Sequence, residues 1–372
     1  MDGGYGLMRA SQFLREYEDL GQEKQNIIQT ISGLDANTPE QAALLDRIWK
    51  LLNSQTFGSN INKSFVATTA DEYMNEKTVE THRRNVAEII SRLDSDYSAL
   101  NVFLKKLEGG GAIDIAALSQ PTNTFNAVFG GDAVAIKAFN ALKGYGVGER
   151  QKGPGEFALA MMSSKIRLAQ GEGDTEIDGV GKVEVKAAMG SKGSGGRLGH
   201  GGPNAEGQMN SIIKYEKVIP NLVAGIKAKR GGTISLGVFC DAMDAELPVN
   251  GKNELGTNND VRAGLMGSLL QPVFGNGPAQ AIANVFSNNE GREATENEYI
   301  KQNFEWYKTR DNFDAYLLIS FTFGKTAMGK TGDDIIKMKK AGMLGTSGIS
   351  IVPSKAAPRE VFAQISLNAA GI

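Results

Sequence analysis

The sequence predicts a mixed α/β protein preceded by an all-α module, and three observations carry that expectation. Residues 8 to about 108 show helical spacing of apolar residues with no strand pattern. Around residue 180, by contrast, apolar and charged residues alternate with period two. Phe313-Asp314-Ala315-Tyr316-Leu317-Leu318-Ile319-Ser320-Phe321 is a nearly continuous apolar run of strand length, the signature of a buried central strand.

The helical part comes first. Phe13, Tyr17 and Leu20 start an apolar stripe that Ile27, Ile28, Ile31 and Leu34 continue. Asn37-Thr38-Pro39-Glu40 reads as a helix start, with proline in the first turn, followed by Leu44, Leu45, Ile48 and Leu51. A long polar helix is expected from about Ala70 to Leu107, stopped by Gly109-Gly110-Gly111. Residues 1–110 therefore form a helical module suited to packing, homo-oligomerisation or clamping a partner. Residues 111–150 are a transition with a small helix at Ala133–Lys143, and Gly153-Pro154-Gly155 opens a unit spanning 151–372. Within it, helical periodicity runs from Glu156 to Leu168, a hairpin covers about 174–188, and residues 205–312 are a mostly helical insertion with a short strand at Ile234–Phe239. Ile349–Val352 and Val361–Leu367 are further strands.

Composition narrows the function classes. A chain of 372 residues with formal net charge -2 is not a uniformly basic nucleic-acid binder. Its charge is uneven, however: residues 181–230 hold nine Lys/Arg against three acids, which suits a polyanionic partner. The single Cys240 excludes an internal disulfide, and two histidines, His82 and His200, argue against a multi-histidine metal centre. No apolar run reaches membrane-spanning length, and the N-terminus lacks signal-peptide character, so no membrane partner and a cytoplasmic location are expected.

The hairpin Gly173–Lys186 is the most informative segment. Alternation puts Val183 and Val185 on one side of a strand and Glu184 and Lys186 on the other. With a two-residue loop, Gly179-Val180, Glu184 lies opposite Thr175. With a three-residue loop, Gly179-Val180-Gly181, Glu184 faces Glu176, and Asp174 shares a face with Glu184 and Lys186. Glycine at the end of three-residue loops favours the second arrangement. Asp174, Glu184 and the Val185 carbonyl then offer hard oxygen ligands for Mg²⁺, and Lys186 can orient or help deprotonate an attacking water. Glu156, at a helix start, is a further acid of the set. Asp178 belongs to the turn, with a role as substitute metal ligand left open.

Glu156, Asp174 and Glu184-Val185-Lys186, in the order helix, strand, strand, resemble the PD-(D/E)xK (restriction-endonuclease-like) phosphodiesterase superfamily. The resemblance covers roughly residues 150–200. It implies a mixed sheet flanked by helices, Mg²⁺ (or Mn²⁺) as cofactor, DNA as partner and substrate, and endonuclease activity by a Mg²⁺-activated water. Gly-Pro-Gly-Glu, the acidic hairpin and Gly195-Gly196-Arg197-Leu198-Gly199 are also similar to nuclease-like proteins of tailed bacteriophages, which adds the virion to the host cytoplasm as a location. The alternative within this resemblance is a non-catalytic phage structural or DNA-binding protein that keeps the fold.

Two further segments carry expectations. Residues 190–202 hold seven glycines with Lys192, Arg197 and His200, and read either as a flexible linker or as a loop that contacts phosphate. Gly324–Thr331 matches the P-loop pattern letter for letter. The 41 residues after it supply no acid at a strand end, so a P-loop nucleotide-binding protein is the lesser alternative and a basic turn is the better account of Lys325 and Lys330.

Overall fold

The structure is a computed structural model that describes residues 38–66, 72–147, 152–169, 172–188, 194–198, 201–202, 205–228, 235–345, 361–362 and 365–368. The stripe from Phe13 to Leu34, Lys192, His200, Ile234 and the strand at Ile349–Val352 lie outside the described residues. The chain divides into two compact units: residues up to 113 with 129–168, and 114–128 with 169 onward. This division runs differently from the 110 and 150 boundaries read from the sequence.

Helices α1 (Pro39–Leu52), α2 (Gln55–Phe65), α3 (Glu72–Ser91) and α4 (Tyr97–Glu108) open the first unit. Thr38 caps α1 by accepting the Gln41 N–H, with Pro39 in the first turn as expected. The single helix expected over 70–107 is instead two. Asp96 accepts the Ser98 N–H and starts α4 afresh, a local cap that overrides the continuing apolar stripe.

After α5 (Ile115–Leu118), β1 (Asn123–Thr124) and α6 (Phe125–Val128), which belong to the second unit, the first unit resumes with α7 (Ala133–Leu142), α8 (Glu156–Met162) and β2 (Ile166–Leu168). The helical periodicity expected through Leu168 thus ends at Met162. Asn60, on α2 and 1% exposed, explains the change: its amide Nδ2 donates to the carbonyls of Ala160 and Ile166, and its Oδ1 accepts the Leu168 N–H. A tertiary side chain supplies the partners that a helix would otherwise provide.

Asp132 caps α7, accepting the N–H groups of Val134 and Ala135 at 3.0 Å each, and pairs with Lys106 at 2.8 Å. Burial works to raise its pKa, but the Lys106 and backbone hydrogen bonds outweigh burial and hold it below the usual carboxylate range. A carboxyl depressed in the folded state contributes stability in full above its unfolded value, near pH 4, and loses it as pH falls through the folded value. Urea midpoints measured downward from pH 7 are therefore expected to fall below about pH 4, and to fall less in Asp132→Asn. Equal slopes in the two chains would contradict this role.

The second unit continues with β3 (Thr175–Ile177), β4 (Gly181–Ala188), β5 (Ser194–Leu198) and β6 (Gly201–Gly202). The insertion expected to be mostly helical holds α9 (Ala205–Ile213), α10 (Pro220–Ala228), α11 (Leu236–Glu246), the β7 (Lys252–Asn253) and β8 (Gly256–Thr257) hairpin, α12 (Asn258–Phe274), α13 (Asn276–Ser287) and α14 (Arg292–Asp311). The strand proposed at 234–239 is not found in its described part: Ser235 accepts the Val238 N–H and starts a helix there. Then come β9 (Ala315–Ser320), β10 (Lys325–Gly329), α15 (Gly332–Lys340), β11 (Leu344–Gly345), β12 (Val361–Phe362) and β13 (Ile365–Asn368).

The main sheet of this unit is mixed, with strand order β1-β10-β9-β4-β3. β9 is buried at every position, as its apolar run predicts, and runs parallel to β4 and antiparallel to β10. On one face, Tyr316 and Leu318 of β9 share a core with Ile300, Phe304 and Tyr307 of α14 and Ile335 and Met338 of α15. Gly329 permits this packing, since a Cβ there would stand 2.7 Å from Ile335 Cδ1. Cys240 is a free thiol inside the helical insertion, and burial pushes its pKa up to about 12.

The glycine-rich segment 190–202 is not simply a loop or linker. Its described parts, β5 and β6, pair with β13 and β12 near the C-terminus. The P-loop reading is overturned. Residues 325–329 form β10, whose backbone is laddered to β9 from Lys325↔Ser320 to Gly329↔Tyr316, so its N–H groups are not gathered around a phosphate. Thr331 instead caps α15 in a capping box with Asp334. The turn lies at 321–324, before Lys325, so that lysine begins a strand and does not sit in a basic turn.

Candidate active site

The β3–β4 hairpin has the expected three-residue loop, placed one residue earlier. Thr175↔Val183, Glu176↔Lys182 and Ile177↔Gly181 are partners, so the loop is Asp178-Gly179-Val180 and Gly181 begins β4. Gly181 has φ +105°, and a Cβ there would lie 2.1 Å from Asp314 Oδ2. The glycine thus serves a close approach and not the loop end: Asp314 accepts the Lys182 N–H at 2.8 Å and returns its own N–H to the Lys182 carbonyl at 2.8 Å. This exchange fixes the start of β4 against the start of β9.

The corrected register pairs Glu176 with Lys182 in place of Glu184, and Asp174, just before β3, still stands beside Glu184 and Lys186. Asp174 Oδ2 accepts the Val185 N–H at 2.8 Å and lies 3.6 Å from Lys186 Nζ. Lys186 Nζ also donates to Glu184 Oε1, and to the Val185 carbonyl at 3.2 Å. Asp174, Glu184, Val185 and Lys186 are therefore brought together. Glu184 is buried, whereas the side chains of Asp174 and Lys186 are about a fifth to a quarter exposed, at 22% and 26%. The group is open on the side of its lysine.

Two tyrosines that sequence reasoning missed complete the group. Tyr307 of α14 donates its hydroxyl to Glu184 Oε1 at 2.6 Å. Tyr316 of β9 is the parallel-strand partner of Glu184 and is fully buried, and its hydroxyl makes no hydrogen bond among the described residues. Burial, and then the charges of Glu184 and Asp174, raise the Tyr316 pKa well above the usual phenol value. Burial and the neighbouring Glu184 do the same to Tyr307. Both phenols thus stay protonated as donors. The sequence signal for them was faint: one tyrosine in the apolar β9 run, and one on the buried stripe of α14.

The other expected residues have settings of their own. Glu156 belongs to the first unit and is buried at the first turn of α8, where its Oε1 accepts the Gly153 N–H at 2.6 Å. Asp178 is exposed in the hairpin turn, at the opposite end of β3 from Asp174; four extended residues, about 13 Å, separate them. It does not replace Asp174. Arg197 lies on β5, partnered with Ser366.

The donor set suits a hard divalent cation: two carboxylates and a backbone carbonyl, all oxygen. Among the described residues, no three His, Cys, Asp or Glu side chains converge, so such a cation would keep several waters, as Mg²⁺ does. No helix among the described residues is long and apolar enough to cross a membrane.

Fold and site together define a mixed α/β protein with a sheet flanked by helices and an acid pair bridged by lysine at its central strands. No family model, curated protein or solved structure matches the chain.

Proposed function

We propose that the chain is a divalent-metal-dependent phosphodiesterase that cleaves DNA, on a restriction-endonuclease-like domain. The observation that carries this reading is the convergence of Asp174, Glu184 and Lys186 on one sheet face. Asp174 and Glu184, with the Val185 carbonyl, would hold Mg²⁺ or Mn²⁺. Such an ion supplies Lewis-acid polarisation of the phosphodiester and a more acidic water. Lys186 orients the attacking water and offsets charge on the phosphoryl oxygens as the P–O bond to the leaving sugar oxygen breaks. Arg197, Lys192 and His200 are the proposed phosphate contacts.

The test is incubation of supercoiled plasmid and of single-stranded DNA with the full chain and Mg²⁺ or Mn²⁺. Metal-dependent nicking is expected, reduced on the order of 10³-fold in Glu184→Ala with DNA binding largely kept. Undiminished cleavage by that variant would refute the assignment.

A second reading, a non-catalytic DNA-binding or phage structural protein, is favoured by one observation. Lys186 already neutralises part of the acid pair, as in a self-satisfied charge cluster. DNA binding without metal-stimulated nicking would select it.

A further inference from the structure

Glu184 Oε1 accepts two hydrogen bonds of different kinds, one from the Lys186 ammonium and one from the neutral Tyr307 hydroxyl. Lys186 stands close to both carboxylates. A divalent cation bound to Asp174 and Glu184 repels that ammonium at short range and drives it outward. The side chain is partly exposed, so it has a direction in which to move. Tyr307 carries no charge and is not repelled. It is anchored on α14, only 5% exposed, with its ring set edge-on to Phe313 at 5.2 Å. It is thus the donor that could stay on Oε1 while a cation is held by the acid pair.

We propose that Tyr307 is the positioning residue of this site, holding Glu184 in its cation-binding orientation, with the buried Tyr316 hydroxyl as the reserve donor beside it. This rests on the phosphodiesterase reading and names what sets the metal affinity of its site. Tyr316 fits the second role because it is the strand partner of Glu184 and its hydroxyl is unengaged among the described residues. A hydroxyl so deeply buried gains most from an acceptor placed in reach.

The experiment is calorimetric titration of the full chain with Mn²⁺ alone, in wild type, Tyr307→Phe, Tyr316→Phe, Tyr299→Phe and Glu184→Gln. Tyr307→Phe keeps the ring and its contact with Phe313, so the fold is preserved, and a thermal melt checks it. It is expected to weaken Mn²⁺ binding about tenfold, the worth of one hydrogen bond to a charged group. The same shift should appear in the half-saturating Mn²⁺ concentration for cleavage, with the rate at saturating metal much less affected. Tyr316→Phe should weaken binding less. Tyr299→Phe, which removes an equally buried phenol from the same helix, should leave it unchanged. Wild-type affinity in Tyr307→Phe, beside a Glu184→Gln chain that has lost binding, would overturn the positioning role and leave the metal site standing. A wild-type chain that binds no Mn²⁺ would overturn the site and the inference together.

Discussion

Lys186→Met is expected to move two properties in opposite directions: DNA cleavage falls by about 10²–10⁴-fold, while Mn²⁺ binds more tightly. The ammonium of Lys186 contacts Glu184 Oε1 and stands 3.6 Å from Asp174 Oδ2, so in the free protein it competes for the oxygens that a cation would take. Methionine keeps most of the aliphatic stem and removes the positive charge that stands between the two carboxylates. Like charges so placed favour any cation that can bridge them. The gain is moderate, several-fold, because the side chain is about a quarter exposed and water screens it. The loss of rate arises separately, since the chain then lacks the group that orients water and offsets phosphoryl charge. Calorimetry with Mn²⁺ and a gel-based nicking assay on the same preparation check both limbs. Retained cleavage would remove Lys186 from the chemistry. Weaker Mn²⁺ binding would show that the lysine supports the acid pair instead of competing for it.

Residues that act through strand geometry were legible in the sequence. The apolar run at 313–321 identified β9, and alternation around Val183 and Val185 placed Asp174, Glu184 and Lys186 on one face. The loop length was also legible, but not its position. Gly181 reads as a loop glycine, whereas its positive φ and missing Cβ make room for Asp314, 133 positions later in the chain. Tyr307 and Tyr316 escaped for the same reason: one comes from the last helix of the long insertion, the other from a parallel strand, and neither lies near Glu184 in sequence. The break between α3 and α4 was a local signal overlooked, since Asp96 is an ordinary helix cap inside an apolar stripe that continues across it. Where a side chain from elsewhere supplies the deciding contact, periodicity carries no trace of it.

Asn60 is the strongest such case, and its replacement is expected to be the most destabilising single change in the first unit. Its amide makes three hydrogen bonds to buried backbone, at 3.0 Å to the Ala160 carbonyl, 3.3 Å to the Ile166 carbonyl and 3.2 Å from the Leu168 N–H. These groups lie in the last turn of α8 and on β2, where the helix does not continue to supply the next N–H partner. Asn60→Ala leaves a small cavity and three buried polar groups without that partner. At about 1–3 kcal/mol for each unsatisfied group, partly relieved by relaxation, the expected loss is about 3–5 kcal/mol. Asn60→Asp is the discriminating variant. It is nearly isosteric and can still accept the Leu168 N–H, but it turns a carboxylate oxygen toward two carbonyls that need a donor. If amide donation holds this junction, the aspartate chain is destabilised at neutral pH about as much as the alanine chain, and recovers part of the loss when acid protonates the carboxyl. If Asn60 only fills space, aspartate is tolerated and alanine is not. Urea unfolding of the three chains at two pH values separates these outcomes.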